Sequence, residues 1–107
     1  MVKRGDVCWA DLDPPAGRRP VVILTRDSAI PVLDYLTIVP ISRTARGIPS
    51  EVPLDEAEGL PGPCVVGCDN VTTIPKRRVN EEAIGKIGVS KSYALDQALR
   101  FALDIRF

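Results

Sequence analysis

The sequence predicts a mainly β (α+β) fold, a small barrel of five to seven short strands with one C-terminal amphipathic helix, on three observations. Short β-branched apolar runs recur through the first three quarters of the chain. Proline and glycine punctuate those runs at close intervals. Beyond residue 89 the apolar spacing changes from two residues to about 3.6, the helical period. At 107 residues the chain holds a single core, so one domain spanning 1–107 is expected.

The elements follow in order. Residues 7–12 read as the first strand, with Cys8, Ala10 and Leu12 sharing one face by the two-residue period. Pro14 and Pro15 cannot donate to a ladder, so 13–17 is a loop. Residues 20–25 form a continuous β-branched run, the pattern of a buried central strand. A third strand covers 35–39 and ends at Pro40. The segment 43–49 is a basic loop, and 51–54 is a short strand placed at an edge by Pro53. An acidic loop at 55–63 leads to strands at 64–68 and 70–74. The basic triplet 76–78 reads as a solvated turn, and 84–88 as a last short strand. Ser90 is the expected N-cap of a helix of about 14 residues whose Leu95, Leu99 and Leu103 form a core stripe. Trp9, Phe101 and Phe107 are expected in the core or in a dimer interface.

Composition narrows the chemistry. The net charge is zero, yet 10 of the 14 cations are arginine, whose planar fork grips phosphate at two points. There is no histidine, which excludes Ser-His-Asp and Cys-His nucleophile pairs, the usual zinc sites and a paired-histidine ribonuclease mechanism. Cys64 and Cys68, if extended, lie ~13 Å apart along a strand, too far for a mutual disulfide or a shared metal. Reduced, partly buried thiols are expected for them and for Cys8. No run approaches the length of a membrane helix, and the N-terminus enters a strand-like segment without a signal-peptide core. The expected location is therefore cytoplasmic, with no membrane partner.

Three blocks carry a family resemblance: RGDVCWADL at 4–12, GRRPVVI at 17–23 and VPIS at 39–42. VVGCDN at 65–70 and IGKI at 84–87 add to it. In this order the set resembles the MazF/PemK toxins of toxin–antitoxin systems along almost the whole chain. The resemblance implies an SH3-like barrel, a homodimer and metal-independent cleavage of single-stranded RNA, with no cofactor. It implies attack by the RNA's own 2′-hydroxyl, leaving a 2′,3′-cyclic phosphate and a 5′-hydroxyl. It also implies a cognate antitoxin protein that blocks the RNA groove.

The same resemblance places Arg19 at the family's essential arginine, the expected transition-state clamp and a candidate proton donor. A guanidinium suits that task because its fork matches the equatorial oxygens of the phosphate. Ser42 falls at the family's catalytic threonine or serine, its hydroxyl able to donate to a phosphate oxygen. Arg18, Arg43 and Arg46 are expected phosphate contacts. Asp69 and Asn70 occupy an Asp-Gln pair: Asp69 reads as a base-edge contact, as a general base, or as a turn carboxylate bonding its own backbone. Two departures stand out. Gly67 replaces a frequent arginine, and the 13–17 loop is short. The alternatives are a binding module or topoisomerase-poisoning toxin of the same fold, and an inactive paralogue that titrates antitoxin.

Overall fold

The computed structural model describes residues 1–106. Among these, seven strands form one antiparallel sheet in the order β4-β5-β3-β2-β1-β7, with β6 also paired to β3. The strands are β1 (Asp6–Asp11), β2 (Arg18–Ile23), β3 (Tyr35–Ser42), β4 (Glu51–Leu54), β5 (Cys64–Gly67), β6 (Thr72–Pro75) and β7 (Gly85–Lys86). A single helix, α1 (Val89–Leu103), closes the described chain. The result is a half-barrel with β4 and β7 as its edges. Pro53 lies on β4, where a missing donor costs nothing, as expected.

The central strands are buried on both faces. Val7, Val22 and Val39 enter one core together with Leu95 and Ala98 of α1. Their neighbours Cys8, Val21 and Ile38 enter a second core on the opposite face. Strict alternation thus feeds two cores, which is why β2 reads as an unbroken apolar run.

β3 is the axis of the fold and runs three residues past its expected end. Tyr35–Ile38 pair with β6, Ile38–Pro40 with β2, and Ile41 and Ser42 with β5. Pro40 sits between the last β6 partner and the first β5 partner, so its missing N–H falls where the strand changes neighbours. Cys68 and Asn70, expected in strands, instead form a one-turn 3-10 helix that joins β5 to β6. The triplet Lys76–Arg78 is likewise a 3-10 turn.

Gly59 and Gly85 permit one close crossing. A Cβ on Gly85 would meet the Glu58 carbonyl at 2.1 Å, and one on Gly59 would meet that of Ile84 at 2.0 Å. Gly59 also sits at φ +86, a conformation suited to glycine.

α1 corrects two expectations. Its N-cap is Gly88, not Ser90, which lies inside the first turn. Leu95 is buried and Leu99 packs against the core, but Leu103 is 55% exposed. Phe101, at 60% exposure, is not a core residue either. The helix packs on β4 and the 68–70 turn. In its last turn Ala102 still packs against that core, while Phe101 and Leu103 are exposed. Trp9 is half-buried at the surface of β1, and Phe107 lies outside the described residues.

Candidate active site

The site grows from the start of β2 and the end of β3. The β2–β3 ladder ends at Val21 opposite Pro40; Arg19 lies two residues before Val21 and Ser42 two after Pro40, so the two-residue period puts both on the face of that last pair. Residues opposite one another share a face of the sheet. The Arg19 Nε donates to the Ala16 carbonyl at 3.1 Å. This anchors the side chain while its two terminal nitrogens keep no protein partner among the described residues. The Ser42 Oγ accepts from the Thr44 N–H at 3.1 Å, so its own proton remains to be donated. Both residues are half-buried.

Two hollows meet at this pair. One, of about 760 Å³, reaches along β3 to Tyr35 and across to Asp69, Asn70 and Thr72. The other, of about 420 Å³, is bordered by Trp9, Arg18 and Arg43. Arg19, Ser42, Ala16 and Thr44 line both, forming the ridge between them.

Each residue singled out from the sequence borders one hollow or both. Arg46, Asp69 and Asn70 face the larger, Arg18 and Arg43 the smaller. The Arg18 guanidinium lies 5.2 Å from the centre of the Trp9 ring and 3.9 Å from the Asp11 carboxylate. Asp69 accepts from the Ser50 Oγ at 2.6 Å, which ties the 68–70 turn to the base of the 43–49 loop. Among the proposed roles for Asp69, this bond engages one carboxylate oxygen in structure and leaves the other open.

Sequence reasoning missed four contributors. Ser50, buried at 1%, holds Asp69. Glu51 accepts from the Arg46 and Gly47 N–H groups at 2.9 and 3.0 Å and so shapes the basic loop. Asp13 and Arg78 form a 3.0 Å ion pair across the larger hollow, and Arg78 is therefore not merely a solvated turn residue. Nothing local signals a contact between residues 65 positions apart. Gly67 borders the same hollow with an unstrained backbone, and an added Cβ would meet only the Asn70 amide nitrogen at 3.4 Å. Its place is thus open to a side chain.

Burial keeps the thiols quiet. Cys8, Cys64 and Cys68 are all free and buried. Burial, helped by the charges of Asp6 and Asp69, pushes the Cys8 and Cys68 thiols up to about 11. At neutral pH both are protonated and unsuited to nucleophilic work. Among the described residues no three Asp, Glu or Cys side chains converge as a metal set. None of the described helices is long and apolar enough to cross a membrane.

Comparison with known proteins completes the picture. Residues 3–103 match the family model described as PemK-like, MazF-like toxin of type II toxin-antitoxin system. Endoribonuclease MazF3 of Mycobacterium tuberculosis is 44% identical over 87 residues, covering 81% of this chain and 84% of that protein. The solved Mycobacterium tuberculosis toxin MazF-mt6 superposes with a TM-score of 0.88 at 39% identity, over 95% of this chain and 99% of that one. A mycobacterial endoribonuclease in complex with its cognate antitoxin shares the fold, with a TM-score of 0.86 at 23% identity over 100% of this chain and 99% of its own. The chain belongs to the PemK-like, MazF-like toxins of type II toxin–antitoxin systems.

Proposed function

We propose that this toxin is an endoribonuclease that cuts single-stranded RNA without a metal, with Arg19 and Ser42 at the scissile phosphate. The observation that carries the reading is that a guanidinium and a hydroxyl 23 positions apart border the same two hollows, on the ridge between them. A strand crossing that ridge brings one phosphate over the pair.

The chemistry follows from what each group has left to give. The RNA supplies its own nucleophile, the 2′-oxygen, which bonds to phosphorus as the bond to the 5′-oxygen breaks. Negative charge grows on the non-bridging oxygens. The terminal nitrogens of Arg19 and the Ser42 hydroxyl donate to those oxygens and hold them in place as charge develops. The 2′-hydroxyl gives up its proton to solvent and the departing 5′-oxygen takes one from solvent, leaving a 2′,3′-cyclic phosphate and a 5′-hydroxyl. Arg18, Arg43 and Arg46 hold the flanking backbone.

The relatives named as endoribonucleases support the activity. The fold neighbour solved with its cognate antitoxin supports an antitoxin partner, which this reading seats in the same groove. A homodimer is part of the same reading, supported by the apolar Tyr93 and Phe101 that α1 leaves exposed. So is action in the cytoplasm by residues 1–107 as a single domain, in keeping with three free thiols.

The test is to incubate the purified toxin with single-stranded RNA in EDTA and analyse the new ends. Cyclic phosphate and 5′-hydroxyl termini are expected. Intact RNA across varied sequences, or 5′-phosphate termini, contradicts the reading.

A further inference from the structure

The two hollows differ in charge. The smaller is bordered by Arg18, Arg19 and Arg43 and, among the described residues, is lined by no carboxylate, the nearest to Arg18 being Asp11 at 3.9 Å. The larger balances Arg19, Arg46 and Arg78 against Asp13, Glu51 and Asp69. A phosphodiester backbone carries one negative charge per nucleotide, so a run of phosphates is drawn more strongly to the first environment than to the second.

Their uncharged groups differ in the same sense. In the smaller hollow Trp9 already has the Arg18 guanidinium over its ring. In the larger hollow Tyr35 is 55% exposed and has no ring contact among the described residues. Asn70 and Thr72 line the larger hollow with side chains that have no hydrogen-bond partner among the described residues. The second oxygen of Asp69 is also open. An aromatic face stacks a base, while an amide offers a donor and an acceptor to its edge. A carboxylate accepts from amino groups of bases and repels phosphate.

We propose that the groove is divided: the smaller hollow grips RNA backbone whatever the sequence, and the larger hollow reads bases. Tyr35 stacks an unpaired base there, and Asn70 and Asp69 bond the edges of its neighbours. Cleavage-sequence preference is therefore set on the larger-hollow side of the scissile phosphate. Tyr35 and Asn70 are specificity determinants, and Arg43 is a sequence-blind anchor. This division rests on the RNA-cutting reading above.

The test compares Tyr35→Ala, Tyr35→Phe, Asn70→Ala and Arg43→Ala with the unaltered toxin in two assays. The first sequences the cleavage ends from a random single-stranded RNA pool. The second measures binding of 2′-O-methyl RNA oligomers, which cannot be cut, over a range of salt. Tyr35→Ala is expected to lose about 5- to 150-fold on the preferred sequence and to flatten the preference, which Tyr35→Phe restores. Asn70→Ala is expected to relax one position of the cleaved sequence. Arg43→Ala is expected to weaken all sequences equally and to lower the salt slope by about 0.7. If Arg43→Ala redistributes the cleavage sites while the Tyr35 and Asn70 variants keep the original profile, the division is overturned. If the unaltered toxin cuts no RNA, the catalytic reading falls instead. The binding assay then decides the division by itself, since equal sequence dependence in all four variants would refute it.

Discussion

Two basic runs stand out in this sequence, and the molecule uses them in opposite ways. Arg18 and Arg19 open β2, whereas Lys76, Arg77 and Arg78 form the turn after β6. The denser run is largely committed to structure. The Lys76 Nζ donates to the Ile30 carbonyl at 2.5 Å, its backbone N–H donates to the Asp34 carbonyl at 2.8 Å, and Arg78 holds Asp13 at 3.0 Å. These contacts fix the 26–34 segment and the 13–17 loop. Arg19, in contrast, has one anchor through Nε and keeps its terminal nitrogens uncommitted. A cation already bonded to the protein stabilises; a cation held but not fully bonded is available to a substrate.

That contrast can be broken by substitution. The largest expected effect is on Arg19→Ala, with a fall of about 10²- to 10³-fold in kcat, the scale of losing one oxyanion donor. Its thermal midpoint should fall only slightly, because one part-buried hydrogen bond, to the Ala16 carbonyl, is lost. Arg19→Lys should recover little, since an ammonium lacks the fork. Lys76→Met should do the reverse, lowering stability by on the order of 1 kcal/mol in a denaturant titration while each folded molecule cuts RNA normally. A Lys76 variant that folds normally but has lost cleavage would erase the distinction.

A smaller effect sharpens the comparison by fixing the pH range in which it is valid. Cys8 and Cys68 titrate at about 11 in the folded protein against an ordinary 9.0. A raised thiol pKa favours the neutral form in the folded state. Its stabilising contribution is therefore complete below about pH 9 and is lost as pH rises through 9 to 11. The thermal midpoint should decline across that window, more gently in a Cys8→Ala/Cys68→Ala variant. Below it, with no histidine in the chain, the activity profile should show no step near ~6.5.

Much of the fold was legible in the sequence. The β4 boundaries and the edge placement of Pro53 came directly from proline's missing donor. The same rule misplaced the end of β3, because a missing donor is harmless where a strand changes partners at Pro40. The four-residue spacing of Leu95, Leu99 and Leu103 put Leu103 inside, but that spacing drifts by ~40° per step on a helix of 3.6 residues per turn, and Leu103 is exposed. At the site, Arg19 and Ser42 came from motif resemblance, and side-chain alternation along β2 and β3 about the Val21–Pro40 pair supplies the physical reason for their shared face. The supporting set of Ser50, Glu51, Asp13 and Arg78 was hidden, since each acts through a tertiary bond that no local pattern encodes.

The central claim is that Arg19 and Ser42 act on one phosphate, and a double-mutant cycle measures this directly. Single-turnover cleavage of one RNA by Arg19→Ala, Ser42→Ala and the double variant gives the coupling between them. The account predicts a double variant little slower than Arg19→Ala alone. Losses that multiply in full, or an Arg19→Ala protein that cuts at the original rate, would contradict it.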